Sequence, residues 1–117
     1  MTSEIKFQIE LDQNRVPEKI MWTAEDGGVA LEETKAILLS VWDSKSQETL
    51  RIDLWTKEMM VDEMADFYYQ LLMTMADTFN RATNQQVLAD DMKLFAKDFL
   101  KKFKDLQLKE NQSYDES

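Results

Sequence analysis

The fold is decided by residues 39–64, LSVWDSKSQETLRIDLWTKEMMVDEM, where the hydrophobic period changes from two to about 3.6. Residues 48–56 alternate apolar and polar side chains, which is typical of a strand with one buried face. Residues 44–47 are polar and predict a hairpin loop that joins this strand to another at 39–43. From about Met60, apolar residues recur every three or four positions, so the stretch predicts a hairpin followed by a long helix.

The residues before this stretch predict more strand structure. Residues 4–11 alternate cleanly, and one face of this strand carries Ile5, Phe7, Ile9 and Leu11. Residues 18–23 predict a second strand, antiparallel to the first, with Ile20 and Trp22 facing inward. Both glycines of the chain follow in Asp26-Gly27-Gly28, which predicts a sharp turn, because glycine adopts positive φ without strain. Residues 30–38, ALEETKAIL, predict a short helix.

The residues after this stretch predict two helices. The first spans about 60–82, and a second begins near Thr83 and Gln86, which have the spacing of a capping box. The short polar connection predicts that the two helices form an antiparallel pair. The apolar positions of the first helix are Val61, Met64, Tyr68, Leu71, Met75 and Phe79. Those of the second are Leu88, Met92, Phe95, Phe99, Phe103 and Leu106.

Together these elements predict an α+β fold with the order β-β-(short α)-β-β-α-α. We expect an antiparallel sheet of about four strands in two hairpins, with the C-terminal antiparallel helix pair packed on one face. Residues 1–108 are expected to form a single domain, since 117 residues suffice for one hydrophobic core. Residues 109–117, KENQSYDES, have no hydrophobic period and predict a flexible acidic tail.

Composition excludes several classes of function. The chain has no Cys and no His, which excludes thiolate or imidazole metal sites and catalysis by Ser-His-Asp or Cys-His groups. The net charge of −9 argues against nucleic acid, because phosphate binding requires a basic surface. The N-terminal residues lack the features of a signal peptide, and no apolar run is long enough to insert in a membrane. We therefore expect a cytoplasmic protein.

One acidic group is the best enzyme candidate in the sequence: Asp53, Glu58, Asp62, Glu63 and Asp66. Clustered carboxylates can bind a hard cation or act as an acid–base pair. However, Asp62, Glu63 and Asp66 are also explained by the start of a helix, where the helix dipole favours negative charge. No calcium-loop spacing is present. The sequence therefore predicts no enzyme activity, no metal site and no cofactor.

A second group of residues suggests a protein-contact surface. On the predicted hairpin, Trp42 and Trp55 are expected to lie near each other on one face together with Arg51 and Asp53. Large aromatic side chains with charged neighbours are typical of interfaces. The alternative is that one or both tryptophans belong to the core. Since two helices cover only one face of a small sheet, the other face is expected to be solvated or bound by a partner, for which a second copy of the chain is one candidate.

Several segments resemble the family of the gliding motility-associated protein GldC of Bacteroidetes-type bacteria. These segments are PEKIMWTAEDGG (17–28), LLSVWD (38–43), LRIDLWTKEM (50–59), VDEM (61–64) and MADTFNRAT (75–83). The resemblance implies a small soluble accessory or adaptor protein, linked to gliding motility and to the type IX secretion machinery, that acts through contacts with other proteins. It implies no catalytic residues. An alternative, suggested by small size, acidity and an expected dimer, is a cytoplasmic protein similar to secretion chaperones.

Overall fold

In the computed structural model, the backbone is described for residues 1–116 and the side chains for residues 1–111. Five strands come first and two helices follow, so the predicted α+β class is confirmed. The chain divides into two compact units, a strand unit of residues 1–60 and a helical unit that begins at Val61. The prediction of a single domain over residues 1–108, with the helices packed on one face of the sheet, stays a prediction.

The strand unit contains two antiparallel sheets. The five strands are β1 (Ile5–Leu11), β2 (Pro17–Ala24), β3 (Val29–Thr34), β4 (Ala36–Asp43) and β5 (Glu48–Trp55). The first sheet has the order β1-β2-β3, and the second pairs β4 with β5. A backbone hydrogen bond from Thr56 N–H to the Lys35 carbonyl (2.8 Å) extends the β4–β5 pairing past the end of β5. The predicted strands at 4–11, 18–23 and 48–56 are confirmed to within a few residues.

The face of β1 and β2 that was predicted to be apolar holds the largest fully buried side chain of the described chain, Ile20. In the register of this pair, Ile9 lies opposite Ile20, and Phe7 lies opposite Trp22. The Phe7 and Trp22 rings are stacked, with their centroids 6.5 Å apart. Directly opposed side chains on one face are the main stabilising contacts of an antiparallel pair. The alternation of apolar residues thus fixes which face of this hairpin is buried.

The turn between β2 and β3 is formed by the two glycines, as predicted. Residues Glu25–Gly27 make one 3₁₀ turn, and the Gly28 N–H donates a hydrogen bond to the Glu25 carbonyl (3.0 Å). Gly28 has φ = 76°, in the left-handed region that residues with a Cβ rarely adopt. The glycine at this position therefore allows the chain to reverse direction between the two strands.

The predicted short helix at residues 30–38 is wrong. This segment forms most of β3 and the start of β4, which gives five strands in two sheets instead of about four in one. Ala, Leu and Glu favour helix locally, but the preference of each residue is small. As strand, the segment gains backbone pairing on both sides of Lys35, since Glu33 lies opposite Met21 and Ile37 lies opposite Leu54. The tertiary pairing outweighs the local preference.

The two helices of the helical unit are α1 (Val61–Thr83) and α2 (Gln86–Glu116). They pack side by side along a line of small residues, and the alanines at this contact are Ala65, Ala76, Ala89 and Ala96, each at most 6% exposed. We call these four residues the seam alanines. Small side chains let two helix backbones approach closely. None of the described helices is long and apolar enough to cross a membrane.

The connection between the helices differs from the predicted capping box. Thr83 is the last residue of α1, and its hydroxyl donates to the Phe79 carbonyl (2.8 Å), so it does not cap α2. Asn84 follows with φ = 56°, and its N–H donates to the Asn80 carbonyl (2.7 Å). A left-handed residue just after the last turn is a common way to end a helix. The two-residue link makes the pair antiparallel, as predicted.

One side of the helix pair is apolar. An α-helix turns by about 100° per residue. The residue just before each seam alanine therefore lies about 100° around the helix from the contact between the helices. Because the two helices are antiparallel, these positions fall on the same side of the pair in both helices. Six large apolar residues at or near these positions are exposed to between 37% and 61%: Tyr68, Met75, Phe79, Leu88, Phe95 and Leu106. We call these six residues the apolar helix face.

The C-terminal end of α2 extends beyond the predicted helix. Its bounds take in residues 109–116, which the sequence predicted as a tail because they lack a hydrophobic period. The side chains from residue 112 onward, and Ser117 entirely, lie outside the described residues. The flexibility of this segment stays a prediction.

Candidate functional site

The β4–β5 hairpin brings the four predicted contact residues to one face. In an antiparallel pair, residues directly opposite each other point to the same side. In the observed register, Ala36 lies opposite Trp55, Leu38 opposite Asp53, Ser40 opposite Arg51, and Trp42 opposite Thr49. These positions alternate along each strand, so all of them share one face. We call Trp42, Arg51, Asp53 and Trp55 the tryptophan face.

Both tryptophans of this face are exposed, and they do not lie near each other. Trp42 is 66% exposed and Trp55 is 56% exposed, so neither belongs to the core. The pairing of Trp55 with Ala36 places it six residues along β4 from Trp42. At about 3.3 Å per residue this corresponds to about 20 Å. The expectation that the two rings are neighbours is therefore wrong, because they occupy opposite ends of the hairpin.

The two charged residues of the tryptophan face lie between the two rings. The Arg51 Nε atom is 3.5 Å from the Asp53 carboxylate, and both side chains are exposed. An exposed pair of this kind adds little stability, because water and salt screen it. The ion pair instead holds the planar Arg51 guanidinium in one orientation between the two tryptophans. Arg, like Trp, is enriched where proteins make specific contacts.

The hairpin loop next to Trp42 is held by Asp43. The Asp43 carboxylate accepts hydrogen bonds from the Ser46 hydroxyl (2.6 Å) and the Ser46 N–H (3.1 Å). These bonds lower the pKa of Asp43 below its ordinary value, the hydroxyl bond having the largest effect. Gln47 has φ = 57° and its N–H donates to the Asp43 carbonyl (2.8 Å). The loop therefore fixes the end of the hairpin at which Trp42 lies.

The opposite face of the hairpin is entirely aliphatic over three successive pairs. These pairs are Ile37 with Leu54, Leu39 with Ile52, and Val41 with Leu50. Ile37 is buried, but Leu39, Val41, Leu50 and Ile52 are exposed to between 37% and 53%. We call these four residues the aliphatic face. The sequence showed the alternation of Leu50, Ile52 and Leu54. It did not indicate their exposure, since alternation alone does not distinguish a core face from a contact face.

The acidic group that was the best enzyme candidate does not form a metal site. Among the residues whose positions the structure describes, no group of three acidic side chains is arranged to hold a metal ion. Asp53 is paired with Arg51, while Asp62 and Glu63 lie in the first turn of α1. At this end of a helix the dipole favours negative charge. The structure therefore pairs Asp53 with Arg51 and places Asp62 and Glu63 at a helix start.

Comparison with known proteins gives one match. The family described as "Gliding motility-associated protein GldC-like" matches residues 17–105, which include all four residues of the tryptophan face and both helices up to Asp105. This match confirms the resemblance noted in the sequence. No curated protein and no solved structure gives a significant match.

Proposed function

Because the chain belongs to the GldC-like family of gliding motility-associated proteins, we propose that it is a soluble, non-enzymatic accessory protein of gliding motility that acts as an adaptor. Its partners in this proposal are other proteins, and components of the gliding or type IX secretion machinery are the first candidates. The proposal includes a cytoplasmic location, which cell fractionation tests. The family membership carries the link to motility, and the surface of the β4–β5 hairpin supports the mode of action.

The tryptophan face supports an adaptor role. Trp42 and Trp55 present two large rings about 20 Å apart, with the Arg51–Asp53 ion pair between them. Two aromatic anchors separated by polar groups that fix orientation are characteristic of protein interfaces, in which a few large side chains supply most of the binding energy. The length of the face suits a partner that lies along the hairpin and contacts both ends.

The test combines a motility assay with substitutions on this face. In a gliding bacterium that encodes this chain, deletion of the gene should reduce colony spreading, and the wild-type gene should restore it. A gene that carries both Trp42→Ser and Trp55→Ser should fail to restore spreading, although the protein accumulates normally. Thr49→Ala is the matched control, because Thr49 lies opposite Trp42 on the same face but lacks an aromatic ring. Full restoration by the double variant would contradict the role of this face.

The alternative function, a protein similar to secretion chaperones, is favoured by the aliphatic face. An exposed block of aliphatic side chains on a hairpin provides a surface for an apolar segment of an export substrate. Substitution of Val41 and Leu50 by Ser should then abolish binding of a partly unfolded export substrate, measured by isothermal titration calorimetry. The two functions are distinguished by the substitutions to which they respond. An adaptor loses activity when Trp42 and Trp55 change, and a chaperone loses activity when the aliphatic face changes.

A further inference from the structure

The apolar helix face is a broad surface that the seam between α1 and α2 does not use. The seam alanines are at most 6% exposed, whereas the six residues of the apolar helix face are between 37% and 61% exposed. In an isolated helix pair, large apolar side chains are expected at the contact between the helices, and polar ones outside it. This arrangement indicates that the large side chains have another surface to contact.

The charge of this surface restricts the chemistry of its partner. Between Phe67 and Asn80, α1 carries a single charged residue, Asp77, and Lys93 of α2 pairs with it at 2.6 Å. The chain as a whole has a net charge of −9. The six residues of the face are themselves Tyr, Met, Phe and Leu, so the face is complementary in chemistry to another apolar surface.

The exposed apolar area of this face is close to the apolar area that one subunit buries in a stable dimer. Its six residues are between 37% and 61% exposed and include three aromatic rings, which amounts to roughly 500 Å² of accessible apolar surface. A stable interface buries about 800 Å² per partner, of which about 56–65% is apolar. The apolar helix face therefore supplies about the apolar area that a stable dimer requires from each subunit.

We propose that the apolar helix face binds the same face of a second copy of this chain and forms a symmetric dimer with four helices at its centre. A two-fold axis brings the same patch of each subunit together, so the apolar helix face of one copy contacts the apolar helix face of the other. Pairs of antiparallel helices pack in this way in four-helix bundles. The proposal goes beyond the function proposed above, because it requires no partner from the motility machinery.

The first test is the mass of the full-length protein in solution. Sedimentation equilibrium should give twice the chain mass of 13.8 kDa at high concentration, with dissociation on dilution. Phe95→Glu should raise the dissociation constant at least about tenfold, because a carboxylate would be buried without a partner. Leu94→Glu is the matched control. Leu94 is the adjacent residue and is 65% exposed, but it points away from the apolar helix face, so this variant should remain dimeric.

A second test keeps the proposal falsifiable if Phe95→Glu fails to fold. The chain contains no Cys, so single variants Phe95→Cys and Leu94→Cys each carry one thiol. In the proposed dimer, the thiol at position 95 reacts with a bulky maleimide more slowly at high protein concentration than at low concentration. The thiol at position 94 reacts at the same rate in both conditions. A wild-type protein that is monomeric at all concentrations, or equal protection of both positions, would overturn the proposal.

Discussion

The Lys93 ammonium lies 2.6 Å from the Asp77 carboxylate and joins the middle of α2 to the second half of α1. The hydrogen bond and charge of Asp77 raise the pKa of Lys93 above its ordinary value. A raised lysine pKa means that the pair stabilises the folded state at neutral pH, and that this stabilisation is lost only as the pH rises through the folded-state pKa. The ion pair links the two helices on the side of the pair away from the apolar helix face.

The first prediction concerns this ion pair. Asp77→Asn should lower the melting temperature slightly at low ionic strength, because the attraction of an exposed charge pair is weak but unscreened there. In 1 M NaCl, where screening acts within about 3 Å, most of the difference from the wild type should disappear. Circular dichroism melting curves at the two salt concentrations measure the effect. A difference that is independent of salt would show that the contact is not electrostatic.

The second prediction concerns the seam alanines. Ala76→Leu should lower the free energy of unfolding by about 1–3 kcal/mol, because Ala76 has no exposed surface and a larger side chain would force the helices apart. Ala82→Leu, on an exposed position of the same helix, is the control and should change it by less than about 0.5 kcal/mol. Urea denaturation of both variants provides the comparison. Equal effects would argue against close packing at Ala76.

The third prediction uses the two adjacent glycines. Gly28→Ala should destabilise the fold by about 1–2 kcal/mol, because a Cβ is strained at φ = 76° even though no atom lies within 4 Å of it. Gly27→Ala should be neutral or slightly stabilising, since its Cβ would meet only the Ala24 Cβ, at an ordinary 4.0 Å. Denaturation curves of the two variants separate backbone strain from crowding. A tolerated Gly28→Ala would mean that the turn has another conformation.

The fourth prediction concerns the pH dependence that Asp12 confers. Hydrogen bonds from the Val16 N–H and the Lys57 ammonium lower the pKa of Asp12 from its ordinary value of 3.8. A lowered carboxyl pKa stabilises the folded state above the unfolded value, and this stabilisation is lost as the pH falls from about 3.8 through the folded-state pKa. Asp12→Asn should remove this part of the acid dependence of the melting temperature. Melting curves recorded at neutral and at acid pH measure the effect, and an unchanged acid profile in Asp12→Asn would contradict the prediction.

The fifth prediction tests the position of the tryptophans. Trp42→Ala should change the free energy of unfolding by less than about 1 kcal/mol, because two thirds of the ring is already exposed. Trp22→Ala should cost clearly more, since that ring is half-buried and stacked on Phe7. Guanidinium titrations of the two variants give the comparison. If the two costs were equal, Trp42 would have to be a core residue after all.

Local patterns in the sequence were sufficient for most of the elements. Alternation predicted β1, β2 and β5, because a strand with one buried face requires a period of two. The 3.6-residue period predicted both helices, and Gly27-Gly28 predicted the turn before β3. The segment at residues 30–38 was misassigned, because its Ala, Leu and Glu residues favour helix in isolation, whereas its strand pairing is formed with residues far away in the chain.

The contact surfaces, too, were predicted only in part from the sequence. The sequence by itself placed Arg51, Asp53 and Trp55 on one face of a strand, since the period of a strand determines which side chains share a side. It added Trp42 on the assumption of a simple hairpin register, and the observed register confirms that the four residues share one face. Only the tertiary structure decided that the rings lie at opposite ends of the hairpin, because the register of β4 against β5 sets distances along the strands. It also decided that the seam alanines are the buried residues of the helix pair, whereas Phe79 and Phe95 are exposed. Hydrophobic periodicity marks an apolar stripe but does not specify which part of that stripe faces the neighbouring helix.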